Sequence, residues 1–179
     1  MRNSSVRRLC RGAVTAGLYA ALTLLFPAFS YGPVQVRPAE ALCVLPFFFP
    51  EAVPGLAAGC LAVNLLGSPY ALDWLFGTAA TLAAACLTRC TKKKILAPLP
   101  PVLVNAAVVG AEIAWYESAS AEAFPAAFAY NAASVALGEA AACYGLGMLL
   151  MRVIEKHNIS TEYEQDTDRK AGKARTDNQ

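Results

Sequence analysis

The segment Tyr31–Glu51, YGPVQVRPAEALCVLPFFFPE, decides how the chain is read. It sets Gln35, Arg37 and Glu40 between two strongly apolar stretches, Gly12–Phe29 before it and Gly55–Leu66 after it. Such side chains are expensive where they face lipid, so they face a cavity, a partner or the bilayer edge. Pro27, Gly32, Pro33 and Pro38 break helix continuity, and Ser30–Arg37 is expected to be an extended loop. From Pro38 to Phe49 there is room only for a short helix, with Pro38 in its first turn and Glu40 near its start.

Working outward, the composition is that of a membrane protein. Of 179 residues 56% are hydrophobic and only 16% charged, and the mean hydropathy is +0.41, far from the balance of a soluble domain. All but Arg37, Arg89, Lys92, Lys93 and Lys94 of the 15 lysines and arginines lie before Gly12 or after Met151. The net charge of +2 therefore averages unlike regions and says little about partners. No basic stripe interleaved with aromatics runs through the apolar part, which argues against nucleic acid. The six cysteines show no CxxC and no neighbouring histidine. They read as small apolar packing residues rather than a metal site or disulfide framework. His157, the single histidine, falls in the polar tail. No catalytic residue, metal or cofactor is expected.

The hydropathy pattern predicts an all-α integral membrane bundle of six transmembrane helices with both termini cytoplasmic. Residues 1–11 form a basic cytoplasmic N-terminus, 12–156 a six-span substrate-binding domain, and 157–179 a disordered cytoplasmic tail. The run Gly12–Phe29 exceeds the apolar core of a signal peptide and is long enough to cross about 30 Å of hydrocarbon. The remaining spans are Pro38–Phe49, Gly55–Leu66, Ala71–Leu87, Leu96 or Pro100 to Trp115, and Pro125–Val153. Six crossings place Arg2–Arg11, Arg89–Lys94 and Arg152–Lys156 all inside, as the positive-inside rule requires. The Gln35–Arg37 loop, Glu117 and Glu122 then lie outside. Glu51 falls in the inner turn between the second and third spans.

At about 1.5 Å of rise per residue, Gln35, Arg37, Glu40, Asp73 and Glu112 fall in the outer half of the bundle. Asn64 and Asn131 fall somewhat deeper on the same side. Glu139 and Asn105 fall nearer the inner half. Gln35, Arg37, Glu40, Asn64, Asp73, Glu112, Asn131 and Glu139 are therefore the candidate substrate-binding residues of a pocket opening outward. Each has a structural alternative. Arg37 can pair with Glu40 three positions on, Asp73 can cap its helix, and Glu139 can bond Asn105. The asparagines can serve as interhelical hydrogen bonds. Carboxylates and amides around one arginine suit a small polar solute with a cationic group or several N–H donors. A guanine-like edge, a thiamine-like or a biotin-like ligand all remain compatible. Gly12, Ala16 and Ala20 recur at every fourth position, with Gly17 and Ala21 beside them. That spacing lets another helix approach closely, inside the bundle or on a separate subunit.

The motifs YGPVQVRPAEAL, LPFFFPEAVPGLAAGCLAVNLLG, DWLFGTAATL, LAPLPPVLVNAAVVGAEI and LGEAAACYGLG, taken in this order, resemble those of the QueT family. These are substrate-binding S components of energy-coupling factor importers for queuosine precursors. The resemblance covers about Gly12–Met151. It implies a six-helix bundle in the bacterial cell membrane that captures solute from outside. It also implies a complex with a transmembrane coupling subunit and two cytosolic ATPases. By analogy the ligands are preQ0 and preQ1, the cyano and aminomethyl deazaguanines. Members carry an AxxxA-type contact for the coupling subunit on the first helix, which Ala16 and Ala20 match. The family assigns no ligand residues here, so the candidate site rests on the depth argument.

The chain carries no GxxxxGK[ST] loop, so ATP hydrolysis by that route must come from another chain. Other classes make different predictions. An autonomous secondary carrier would use Glu112 or Glu139 as a proton-coupled carboxylate, but no inverted repeat is evident. An intramembrane enzyme lacks a nucleophile or cofactor motif. A purely structural subunit would bind no small molecule. The aminomethyl ligand is expected to bind more tightly than guanine, and Glu112→Gln or Glu40→Gln to weaken it.

Overall fold

The computed structural model describes residues 2–26 and 36–159. The candidate residue Gln35 and the tail from residue 160 onward lie outside them. Among the described residues the chain is all-helical: α1 (Arg2–Leu25), a 3₁₀ helix (Pro38–Phe47), α2 (Ala52–Gly67), α3 (Asp73–Cys90), a single 3₁₀ turn (Lys94–Leu96) and α4 (Leu99–Glu117). The last helix, α5, runs Phe124–Lys156 and is interrupted by a π-helical segment at Ala141–Gly147.

Each α-helix packs on the next, α1 on α2, α2 on α3, α3 on α4 and α4 on α5, while the 3₁₀ helix contacts both α1 and the π segment. The short second helix therefore closes the bundle from within. Its composition explains this position. Pro38 opens it and Pro46, which has no N–H to donate, falls inside it, so α-helical hydrogen bonding cannot run its full length. The side chains from Ala39 to Val44 are all buried. Around it, Tyr19, Leu42, Leu56, Cys60 and Val63 form one apolar cluster, and Val44, Ala97 and Met151 a second. A third cluster, Ala80, Val109, Ile113 and Val135, joins α3, α4 and α5.

The α1–α2 crossing depends on missing side chains. A Cβ on Gly55 would lie 2.5 Å from the Gly12 carbonyl oxygen, and one on Gly59 would lie 2.8 Å from that of Ala16. The two backbones touch where the sequence supplies glycine and alanine, the close approach that small residues allow.

The surface is apolar where a soluble protein would be charged. Leu18, Leu65, Leu82, Leu103, Leu137 and Leu149 are exposed, while Arg37, Glu40, Asp73, Asn105, Glu112 and Glu139 are buried. Such an inside-out distribution suits a hydrocarbon solvent. Among the described residues two helices are long and apolar enough to cross a membrane by length and composition, Lys94–Glu117 and Phe124–Lys156. Pro38–Phe47 and Ala52–Gly67 are apolar but shorter.

The basic groups gather at one end. Arg11 meets Glu51 at 3.4 Å, Arg89 Nη1 donates to the Phe47 carbonyl at 3.3 Å, and Lys94 pairs with Glu155. These contacts bring the first half of α1 and the starts of α2 and α4 beside the ends of the 3₁₀ helix, α3 and α5. Arg37, Asn64, Asp73, Glu112 and Glu117 occupy the opposite half, the segregation that the charge pattern predicts.

Candidate functional site

The site is built where the 3₁₀ helix begins, where α2 gives way to α3, and on the inward faces of α4 and α5. Arg37 immediately precedes the 3₁₀ helix, and its Nη2 lies 3.4 Å from Asp73 Oδ2. Asp73 opens α3 but caps nothing; the N-cap residue is Leu72, with no side-chain cap bond. The same Asp73 oxygen accepts from Ser68 Oγ at 2.7 Å, and Asn64 Nδ2 donates to the Asp73 carbonyl at 2.9 Å. Sequence neighbours on the α2–α3 turn thus fix the carboxylate, and Arg37 reaches it across the bundle.

Arg37 therefore pairs with Asp73 rather than with Glu40. Glu40 turns the other way, accepting from Tyr19 Oη through Oε1 and from Cys43 Sγ at 2.9 Å through Oε2. Cys143, on the π segment, donates to the Glu40 carbonyl at 3.2 Å. The π turn brings its thiol to the second helix as well as to Glu139, 3.7 Å away. Glu139 Oε1 accepts from Asn105 Nδ2 at 2.7 Å, the pairing the sequence offers as an alternative to ligand contact.

These groups border a common hollow. Arg37, Gly77, Thr81, Asn105, Val109, Val135 and Glu139 line a cavity of about 10 Å³, room for about one water molecule. Arg37, expected in the outer half, and Asn105 and Glu139, expected nearer the inner half, share this one cavity. Glu40 does not line it. Glu112 lies one helical turn beyond Val109 on the same face of α4 and is 7% exposed. Both its carboxylate oxygens lack a hydrogen-bond partner. Asp73 and Arg37 are the charges that act on it through space.

Asn131 belongs to an adjoining network. Its Nδ2 donates to Glu117 Oε2 at 3.0 Å, while Glu117 Oε1 accepts from Tyr70 Oη at 3.3 Å. The Tyr70 and Tyr116 rings lie 5.3 Å apart. Tyr70 stands in the turn between α2 and α3. Its burial, and next the Glu117 carboxylate, push its phenol above the ordinary tyrosine value, which keeps it a donor. A larger hollow of about 420 Å³, lined by Trp115, Ser118, Ser120, Ala121 and Phe124, lies nearby, but no charged side chain lines it.

Among the described residues six buried side-chain atoms lack a partner: Asn64 Oδ1, Asp73 Oδ1, Thr78 Oγ1, Asn105 Oδ1 and both oxygens of Glu112. Apart from the Thr78 hydroxyl, which can also donate, these are amide or carboxylate oxygens, so their unmet demand is for donors. Among the described residues no cluster of metal-ligating side chains occurs.

Tyr19, Ser68, Tyr70, Thr81, Glu117 and the thiols of Cys43 and Cys143 were not legible as site residues. Ser68 alone carried a local signal, standing five residues before Asp73 in a Gly-Ser-Pro turn. Gly77 also matters. A Cβ there would sit 2.1 Å from Asp73 Oδ1 and 2.8 Å from Asn64 Nδ2. Gly77→Ala is expected to retain helix content by circular dichroism, since alanine favours helix by about 0.5–1 kcal/mol. It should displace the carboxylate and lose solute binding, and retained binding in calorimetry would contradict this placement.

Gly12, Ala16 and Ala20 lie on α1, each partly buried. Gly12 and Ala16 contact α2 through their backbones. Ala13, Gly17 and Ala21, one position on, are exposed.

Comparison with known proteins agrees with the inside-out distribution of side chains. A family model described as QueT transporter matches residues 9–156. A Lactococcus lactis subsp. cremoris (strain MG1363) protein, "Queuosine precursor transporter QueT", is 32% identical over 84 residues, covering 46% of this chain and 49% of that protein. The matched region thus spans about half the length of this curated relative. No solved structure matches the chain. With its matched region running from within α1 to the end of α5, the chain belongs to the QueT transporter family.

Proposed function

We propose that this protein is the substrate-capture subunit of an ATP-driven importer, a six-span, multi-pass protein of the bacterial cell membrane that binds a queuosine precursor from outside. The reading is supported by family membership. The observation that carries it is the donor deficit around the Arg37–Asp73 pair, where Asn64 Oδ1, Asp73 Oδ1, Asn105 Oδ1 and both Glu112 oxygens are buried and unpartnered. A deazaguanine presents adjacent N–H donors on one edge, which a carboxylate accepts in a bidentate manner, and a carbonyl for an amide or arginine. Asp73, Asn64, Asn105 and Glu139 are the acceptors for that edge, Arg37 is the donor, and Glu112 lies beside them as a further acceptor for the substituent. Glu40 and Asn131 stand around this set and hold elements in place, and Gln35 remains a candidate outside the described residues.

The cavity of about 10 Å³ is too small for a bicyclic base, so capture requires the lining helices to part. Ligand donors would then replace the internal donors to Asp73 and Glu139. No group here performs bond chemistry; the role is to bind and release. The basic end faces the cytoplasm and the site faces outward in this orientation. Energy comes from partners, a transmembrane coupling subunit and two ATPases, since the chain has no phosphate-binding loop.

Calorimetry or thermal shift on the purified protein against deazaguanines, guanine and a vitamin panel tests the ligand. Aminomethyl deazaguanine should bind more tightly than guanine. Equal affinity for every purine, or none, would remove the proposal.

The coupling subunit would dock on α1, along Gly12, Ala16 and Ala20 and the exposed row beside them. Substituting Ala16 would also strain the crossing with α2, whereas a Cβ on Gly17 meets nothing within 4 Å. Gly17→Leu should therefore block co-purification with the coupling subunit and leave solute affinity unchanged. A complex recovered at wild-type yield would contradict that surface. The buried Glu112 also fits a proton-coupled carrier; uptake into vesicles under a gradient, with no ATPase present, would favour that second reading.

A further inference from the structure

We infer that Glu112 is the counter-charge for a protonated amine on the solute and makes the site selective for a cationic ligand over a neutral one of similar size. The inference rests on the solute-capture reading above and assigns a specificity-determining residue within it.

The charge balance of the interior leads there. Apart from Arg37, the sequence carries no lysine, arginine or histidine between Gly12 and Thr88, or between Ile95 and Met151. Against that one arginine the bundle buries Glu40, Asp73, Glu112 and Glu139 near its polar centre. Arg37 faces Asp73 at 3.4 Å. Glu40 and Glu139 are supplied with uncharged donors, Tyr19 and Cys43 for the first and Asn105 for the second. Those two carboxyl groups have a resident solution. Glu112 has none: 7% exposed, with both oxygens unpartnered. Asp73 adds like charge to its surroundings.

A buried acceptor pair in a negative field is complemented best by a donor that brings positive charge, because a charge-assisted hydrogen bond is stronger than a neutral one. Tyr70 favours the same group. It packs against the cluster of Ala80, Val109, Ile113 and Val135, with its ring next to Tyr116. Aromatic faces beside a carboxylate accommodate an ammonium. The heterocycle would then lie toward Arg37, Asp73 and Asn105, with its amine toward Glu112 near the end of α4.

Two deazaguanines that differ only in an aminomethyl or a cyano substituent form the test pair, measured by calorimetry on the detergent-purified full chain. Wild type should bind the aminomethyl compound about 10- to 100-fold more tightly than the cyano compound. Glu112→Gln should erase that preference by weakening the aminomethyl ligand alone, with the ligand-free melting temperature unchanged. An N-acetylated aminomethyl ligand, which keeps the substituent but loses its charge, should bind wild type no better than the cyano compound and needs no variant. Equal binding of charged and neutral ligands by wild type, or an equal loss of both in Glu112→Gln, overturns the inference while the capture reading stands. Failure of every deazaguanine to bind wild type overturns both.

Discussion

Replacing Arg37 with methionine, or Asp73 with asparagine, is expected to lower stability by about 3–5 kcal/mol in each single variant, because either change strands the remaining buried charge. The pair lies 3.4 Å apart with both side chains almost fully covered, so solvent cannot take over the lost partner. Asp73→Asn also weakens the bond that Ser68 makes at 2.7 Å and removes negative charge from the first turn of α3, where the helix dipole favours it. The double variant should recover a large part of the loss, since it leaves no unpaired charge. Chemical unfolding in detergent of the wild type, both singles and the double closes the cycle. Single variants within about 1 kcal/mol of wild type would show that the pair is solvated as a surface ion pair is.

Gly59→Leu is expected to cost about 2–5 kcal/mol, through overpacking and the loss of a buried hydrogen bond. The first atom added would lie 2.8 Å from the Ala16 carbonyl oxygen and 2.9 Å from Tyr19 Cβ. Backbone and Cβ cannot rotate aside, so α1 must move as a unit. Tyr19 moves with it, and its hydroxyl leaves Glu40, exposing a second buried carboxyl to an unmet demand. Thermal unfolding together with solute titration checks this, and both should fall. An unchanged melting temperature would mean that α1 rides on α2 more loosely than their backbone contacts require.

The site's membership was partly legible before any coordinates. A carboxylate or arginine inside an apolar stretch is costly wherever it lies, so Arg37, Asp73, Glu112 and Glu139 announce themselves by position alone. Their partners do not. Local spacing offers Glu40 to Arg37, three residues away, yet Arg37 reaches Asp73 across 36 positions, because the 3₁₀ path aims Glu40 at Tyr19 instead. The six cysteines read as apolar packing residues, and Cys43, Cys60 and Cys143 are buried while Cys10, Cys86 and Cys90 are exposed. That Cys143 reaches the Glu40 carbonyl depends on the π segment, which periodicity does not reveal.

What the amino-acid order determined unaided is the helical class, the apolar exterior and the gathering of basic residues at one end, since each follows from composition, hydropathy and charge along a single dimension. Only the tertiary arrangement decided that Arg37, Asn105 and Glu139 line one small cavity, that Gly12 and Ala16 touch α2, and that Glu112 is left with nothing to bond. Those outcomes depend on how far each helix turns about its axis and how near its neighbour comes, and both are set by packing between segments distant in sequence.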